Sequence, residues 1–341
     1  MEVVAERLTA QLLAGRRPRD PVAVVERLLA VQGQDPRGVR LAIRARSVRV
    51  TAADVDRVLT DDRSLLITWL NRRTLHLVRR EDYPWLQALT TPQLSTSTAR
   101  RLAQEGVSSA GAERAVAAVA KALADDGPLT RAQLRQRVAS ARVRTEGQAL
   151  VNVLLLASLR GLIVRGPMVG KQHAFVLVRD WLGEQPKVDR NRALAELARR
   201  YLVGHGPAGE RDLARWAGLP LRDVRAGFSA IDGDLNTRSD GLVELRRRRR
   251  PAELPPPRLL GAFEPVLLGW IDRKPLVGTK QGAITVGGLF KPFALVQGRA
   301  VGTWRLVGGE VELEPFGRVP RDVLAALEAD GEDVVRFLAA P

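Results

Sequence analysis

Gln32 and Gln34 flank a single glycine, and a carboxylate follows at once, in the segment Val31-Gln32-Gly33-Gln34-Asp35-Pro36-Arg37-Gly38. A carboxamide carries an accepting carbonyl oxygen and a donating NH2 group. Two of them one residue apart can hold a single water without removing its proton. Asp35 would add negative charge where positive charge develops in a reaction. Chemistry of this kind depends on positioning more than on a strong base. The same residues have an ordinary reading as polar surface groups, with Asp35 capping an Asp-Pro turn.

The composition removes other chemistries. The chain of 341 residues has no cysteine, so disulfides, thiol nucleophiles and thiolate metal sites are excluded. His76, His173 and His205 are far apart and show no ligand spacing. No metal and no cofactor are expected. The lysines are Lys121, Lys171, Lys187, Lys274, Lys280 and Lys291, none near the glutamines in sequence. A Schiff-base mechanism is therefore not expected.

The charge balance points to the partner. Lys and Arg total 54 against 38 acidic residues, a formal net charge of +16. A GC-rich genome would explain the preference for Arg over Lys, but not the excess itself. Such an excess suits nucleic acid or an anionic membrane surface. The N-terminal segment, residues 1–15, contains Glu2 and Glu6 and reads as an amphipathic helix, not a signal peptide. The longest apolar stretch, near residues 150–157, is interrupted by Asn152 and is too short for a bilayer. A soluble cytoplasmic protein is expected, with no membrane association.

Elements must then position the glutamines. Asp20 is a good N-cap and Pro21 a good first helical residue. Val22, Val25, Leu28 and Leu29 follow at helical spacing. The pattern predicts a helix over residues 21–31, closed by Gly33 in the left-handed conformation. Gln32 and Gln34 would then project from a helix C-terminus, the end with partial negative charge.

Further along, the chain echoes itself. Gly127-Pro128-Leu129-Thr130 and Gly206-Pro207-Ala208-Gly209 each follow one helix and precede a short one. After the first copy come an apolar helix (residues 146–160) and strands at 162–165 and 174–178. After the second come a candidate helix at 221–230 and a strand at 242–250. Helix, helix, helix and a two-stranded wing is the winged-helix layout. Residues 1–110 read as a third copy, with helices at 7–13, 21–31 and 51–59 and strands at 65–70 and 74–78. Arg246–Arg250 and Pro251–Pro257 form a basic, stiff linker. Beyond it, alternating segments at 293–297, 300–307 and 310–316 predict a β-rich unit, barrel or curled sheet, closed by a helix at 322–338. The expected organisation is α+β and mainly helical: units at 1–110, 111–188 and 189–257 including the linker, then a β-domain at 258–341.

Several stretches now resemble one family: Leu29–Arg37 (LAVQGQDPR), Thr68–Val78 (TWLNRRTLHLV), Gly127–Leu134 (GPLTRAQL), Leu259–Arg273 (LLGAFEPVLLGWIDR) and Val301–Arg305 (VGTWR). In this order they are similar to the AlkZ/YcaQ family of bacterial winged-helix DNA glycosylases. The resemblance implies three tandem winged helices and a C-terminal β-domain that together form a concave DNA-binding surface. It implies removal of alkylated purines, above all N7-alkylguanines, including bulky or cross-linking adducts. The family's catalytic motif, Gln-x-Gln in the AlkZ branch and Gln-x-Asp in the YcaQ branch, falls on Gln32 and Gln34 and so resembles the AlkZ branch, with Gly33 where a larger apolar residue is usual. Arg73 stands where the family commonly has Gly.

The residues fit that chemistry. An N7-alkylguanine already carries positive charge, so its departure needs little protonation, and bond cleavage passes through an oxocarbenium-like sugar. Gln34 is expected to hold the water, Gln32 to orient the water or the sugar, and Asp35 to support the cationic sugar. Hydrolysis without strand cleavage is expected. Arg37, Arg72, Arg73, Arg246, Arg247, Arg248, Lys274 and Lys280 are candidate DNA contacts, the last two in a hairpin that would enter a groove. The partner is double-stranded DNA containing alkylated purines, met by a monomer with no obligate protein partner. Trp69, Trp85, Trp181, Trp216, Trp270 and Trp304 read as core residues, and His76 as a structural one. Positive charge and helix-turn-helix echoes would equally serve a non-catalytic regulator or damage sensor, or a general architectural binder.

Overall fold

The computed structural model describes residues 2–170 and 172–339, so Lys171 lies outside the described residues. The chain forms two compact units, one of residues 1–56 and 194–341, the other of residues 57–193. The fold is mixed α/β.

The larger unit opens with α1 (Glu2–Ala10) and α2 (Pro21–Leu28). Asp20 caps α2, its carboxylate accepting from the Val22 amide at 2.9 Å. The helix stops earlier than its apolar pattern suggests. Leu29, not Gly33, is the left-handed residue that closes it, with φ 66°. Val31 and Gln32 then form the short strand β1, and a helix that the sequence pattern does not announce follows, α3 (Pro36–Arg46). Next comes α4 (Ala52–Thr60), which runs across the unit boundary. Thr51 and Asp54 cap it reciprocally.

In the smaller unit, β2 (Leu65–Leu70) and β3 (Thr74–Arg79) form a hairpin where the sequence places one. Helices α5 (Tyr83–Thr90), α6 (Ser95–Gln104), α7 (Ser109–Asp126), α8 (Arg131–Ser140) and α9 (Ala149–Leu159) follow, then β4 (Ile163–Val169), β5 (Gln172–Leu177) and α10 (Val178–Leu182). Strands β3, β2, β4 and β5 lie side by side. Apolar on nearly every face, α9 is buried along almost its whole length and forms the centre of a core with Trp69, Val119, Leu134 and Phe175. The turn between β2 and β3 places Arg72 and Arg73 at φ 55° and 65°, a conformation in which glycine is easier. The Arg73 guanidinium donates to Asn152 Oδ1 at 3.0 Å.

The chain re-enters the larger unit along α11 (Arg190–His205), then forms α12 (Glu210–Ala217), α13 (Leu221–Ala230) and a hairpin of β6 (Leu235–Thr237) and β7 (Val243–Leu245). The internal echo has a structural counterpart. The residue after each Gly-Pro makes an isolated antiparallel bridge to the second strand that follows: Leu129 to Phe175 in one copy, Ala208 to Val243 in the other.

After the linker come β8 (Arg258–Leu260), the short helices α14 (Pro265–Leu268), α15 (Lys274–Val277) and α16 (Gln281–Ile284), a small hairpin of β9 (Thr285–Val286) and β10 (Leu289–Phe290), then β11 (Phe293–Val296), β12 (Arg299–Val307), β13 (Glu310–Pro315) and α17 (Arg321–Ala339). The C-terminal sheet has the order β13-β12-β11-β8 and is open, not a closed barrel. Lys274 to Lys280 is helical rather than part of a hairpin. The hairpin lies downstream, where Gly287-Gly288 turns between β9 and β10. That Gly-Gly pair between Val286 and Leu289 is the sequence signal for it. Leu41, Leu259, Ala294, Trp304, Leu327 and Phe337 form the core beneath this sheet.

Candidate active site

The loop bearing the two glutamines is held from both ends. Before it, Ala30 N–H donates to Leu28 O at 2.8 Å, which reverses the chain after α2 and feeds it into β1. Gln32 lies on β1 and is 8% exposed. Gly33 is buried, Gln34 is exposed and Asp35 is half-buried. After the loop, Asp35 Oδ1 accepts from the Gly38 amide at 2.6 Å and caps α3, and Pro36 fills the first helical position.

The glutamines are therefore not at a helix C-terminus. Gln34 and Asp35 precede the N-terminal end of α3, which has partial positive charge. The environment is opposite in polarity to the one the sequence suggests, because the helix expected to run to Val31 stops at Leu28. Asp35 fulfils its ordinary role as a cap. Only one of its oxygens is committed to that bond, and the carboxylate retains capacity to accept further hydrogen bonds.

α3 is the element that fixes the loop, and close backbone packing and ion pairs fix α3. A Cβ on Gly38 would lie 2.4 Å from the carbonyl oxygen of Ala262, and one on Gly261 would lie 3.1 Å from Gly38 Cα. Two backbones thus meet at a distance only glycine permits. Arg40 binds Asp56 and the Pro36 carbonyl. Arg44 reaches Asp330 at 2.7 Å and Asp333 at 2.9 Å on α17. Arg46, fully buried, donates to Gln11 Oε1 at 2.8 Å and pairs with Glu264, also fully buried. Removing one member of a buried pair leaves an uncompensated charge, so such a pair holds geometry more strictly than an exposed one.

Three of the stretches that carry the resemblance converge on this helix. The segment LAVQGQDPR enters it, LLGAFEPVLLGWIDR supplies Gly261, Ala262 and Glu264, and VGTWR supplies Trp304, whose indole N–H donates to Leu260 O at 2.9 Å. The sequence shows these stretches but not their shared target. It gives no sign of Arg46, Glu264 and Gln11 as a group, because a buried charged triad leaves no periodic signal.

The other candidates are scattered. Arg37 is exposed in the first turn of α3. Arg246, Arg247 and Arg248 are exposed beyond β7, with Arg248 bound to Glu6 at 3.0 Å and Glu244 at 3.0 Å. Lys274 and Lys280 are exposed. Arg72 and Arg73 sit at the β2–β3 turn of the smaller unit, where burial and then Arg101 lower the Arg73 proton affinity. His76 is buried, its Nδ1 is 2.9 Å from Thr74 O, and burial with repulsion from Arg72 pushes its pKa down to about 3. It is a neutral structural group, as expected. Trp69, Trp181, Trp216, Trp270 and Trp304 are buried and Trp85 is half-buried, so none is an open stacking platform. Among the described residues, no cluster of three His, Asp or Glu is arranged to hold a metal, and no helix is long and apolar enough to cross a membrane.

The family described as DNA glycosylase AlkZ-like matches residues 25–337. An interstrand DNA cross-link repair glycosylase of Streptomyces sahachiroi is 29% identical, over 98% of this chain and 95% of its own length. The solved structure of the Streptomyces sahachiroi DNA glycosylase AlkZ superposes with a TM-score of 0.78 at 26% identity, covering 98% of this chain and 95% of that one.

Proposed function

This chain belongs to the AlkZ-like DNA glycosylase family, and from that premise we propose that it excises N7-alkylated guanines, including bulky and cross-linking adducts, by monofunctional hydrolysis centred on Gln34. The observation that carries the reading is the contrast along one short loop. Gln34 is exposed, Gln32 beside it is buried, and the helix behind them is clamped. A relative that aligns over 98% of this chain and 95% of its own length is an interstrand DNA cross-link repair glycosylase, which supports a site open enough for large adducts.

In this mechanism the Gln34 carbonyl accepts a hydrogen bond from water and aims its oxygen at C1′ of the damaged nucleotide. Gln32 fixes the orientation of that water or of the sugar. As the C1′–N9 bond breaks, its electron pair goes to the base, which leaves as neutral N7-alkylguanine. The sugar passes through an oxocarbenium ion, water adds at C1′, and one proton is released. Asp35 contributes negative charge beside the cationic sugar while holding the start of α3. No lysine is needed, so no covalent intermediate forms. Groups that act by positioning matter through geometry, and a misplacement of about 1 Å can cost roughly 10²-fold.

The three winged-helix units and the DNA contacts at Arg37, Arg72, Arg73, Arg246, Arg247, Arg248, Lys274 and Lys280 belong to the same proposal. So does a role for the β9–β10 hairpin. Its Val286 and Leu289 are 54% and 65% exposed, and apolar side chains on a hairpin can act as wedges between base steps. Incubating the protein with duplexes carrying defined N7-guanine adducts, and identifying freed bases by mass spectrometry, tests the reading. Free N7-alkylguanine and an intact abasic strand are expected. A product trapped by borohydride, or binding without any base release, would overturn it.

A further inference from the structure

A cleft of about 570 Å³ in the larger unit is lined by Arg16, Arg17, Arg27, Arg200 and Arg249, with Glu26 among them. A second cleft of about 630 Å³ adjoins it, sharing Arg27, Val203 and Arg249. None of these arginines belongs to the site described above. Five guanidinium groups line the cleft with one carboxylate, Glu196 lies 3.6 Å from Arg200, and Asp330 and Asp333 act on Arg17 from nearby, so positive charge still outnumbers negative. Like charges do not crowd into a partly buried cleft without cost. The Arg27 guanidinium has its proton affinity lowered, first by burial and then by Arg249, with Arg200 adding to the repulsion against the pull of Glu26. Arg17 is lowered by burial and then by Arg44, against the pull of Asp330 and Asp333.

Several of these groups are held in place by backbone carbonyls. Arg27 donates to Val203 O at 3.1 Å, Arg200 to Glu26 O at 2.8 Å and Arg249 to Arg16 O at 3.3 Å. A carbonyl orients a guanidinium without neutralising it, so the bonds of Arg27 and Arg249 leave formal charge for a ligand, while Arg200 is also ion-paired with Glu196. Planar forks from separated segments of the chain can grip oxyanions two donors at a time.

We infer that this cleft binds two neighbouring phosphate groups, taken either from a nucleic-acid strand or from a free diphosphate compound. A single monoanion would leave most of the excess charge uncompensated, whereas adjacent phosphates match it. The inference does not depend on base release at Gln34, since a protein inactive on every adduct would still bind phosphate here.

The test uses the full chain and inorganic pyrophosphate as the probe, followed by titration calorimetry at low salt. Arg16 and Arg249 are exposed, so the double variant Arg16→Gln/Arg249→Gln should fold. A control with the same net charge, Arg222→Gln/Arg336→Gln, removes two arginines outside the cleft. Pyrophosphate binding should weaken at least tenfold in the cleft variant and change little in the control. Undamaged duplex DNA separates the two sources. If a strand occupies the cleft, duplex competes with pyrophosphate, and the cleft variant lowers the slope of log affinity against log salt by about 2, near 0.9 for each phosphate no longer neutralised. If a free diphosphate is the ligand, pyrophosphate binding falls while the duplex slope matches the control. Equal pyrophosphate binding by the cleft variant and its control, or none by the wild type, overturns the inference.

Discussion

Gln34 is exposed and Gln32 is buried, so truncating each should fail in a different way. Gln34→Ala removes a group with one proposed task. Base release under single-turnover conditions should fall by roughly 10²-fold or more, while thermal stability and affinity for undamaged duplex stay near wild type. Gln32→Ala should lower activity too, but it also strips a polar side chain from a buried strand. That costs on the order of 1–3 kcal/mol where a partner is left behind, and a lowered melting temperature should reveal it. If Gln34→Ala released adducts at the wild-type rate, the water would have to be held elsewhere. At this scale the sequence is informative about which residues to choose. It is silent on which glutamine faces solvent, because that depends on a reversal at Leu29 that no residue type announces.

The helix behind the loop is where sequence reasoning fails, and the reason is physical. Asp35-Pro36 has the same cap-and-proline signature as Asp20-Pro21, yet it reads equally well as a turn. In α3 every residue from Gly38 to Arg46 is buried, so the polar stripe in its sequence is packed against other elements and is not a solvent face. Three of those buried residues are arginines, which in sequence look like surface. The close approach of Gly38 to Ala262 and the Arg46–Glu264 pair make α3 a rigid support, and each gives a prediction. Gly38→Ala must push backbone against backbone. It should cost about 1–3 kcal/mol, as overpacking does, and should reduce base release more than binding, because the loop moves with the helix. Glu264→Gln leaves Arg46 as an uncompensated buried charge, and about 3–5 kcal/mol of destabilisation is expected. Urea titration measures both, and activity assayed where the variants remain folded separates displacement of the loop from loss of structure. Other elements are legible because their signals are local. The β2–β3 hairpin matches its expected bounds to within a residue at each end, and the Gly-Pro echo reappears as two equivalent bridges, Leu129 to Phe175 and Ala208 to Val243.

Across the whole molecule, acidity should act on both compact units at once. His76 lies in the smaller unit and His205 in the larger, and burial pushes both pKa values down to about 3. His205 is sealed by rings, stacked on Tyr201 at 4.7 Å and packed against Trp216 and Trp270 at 5.4 and 5.9 Å. In the unfolded chain each imidazole takes up a proton near pH 6.5, whereas in the folded chain each stays neutral down to about pH 3. Between those limits the unfolded state binds more protons, so stability rises with pH across that window. No penalty from these groups operates well above pH 6.5. Below it, each histidine adds a slope of up to about 1.4 kcal/mol per pH unit, before most carboxylates begin to titrate. The urea midpoint should therefore be level between pH 7 and 8 and fall steadily from pH 6.5 to 5, for the transition of either unit. A midpoint unchanged from pH 7 down to pH 5 would mean that these imidazoles accept protons in the folded chain and that their sealed surroundings open readily.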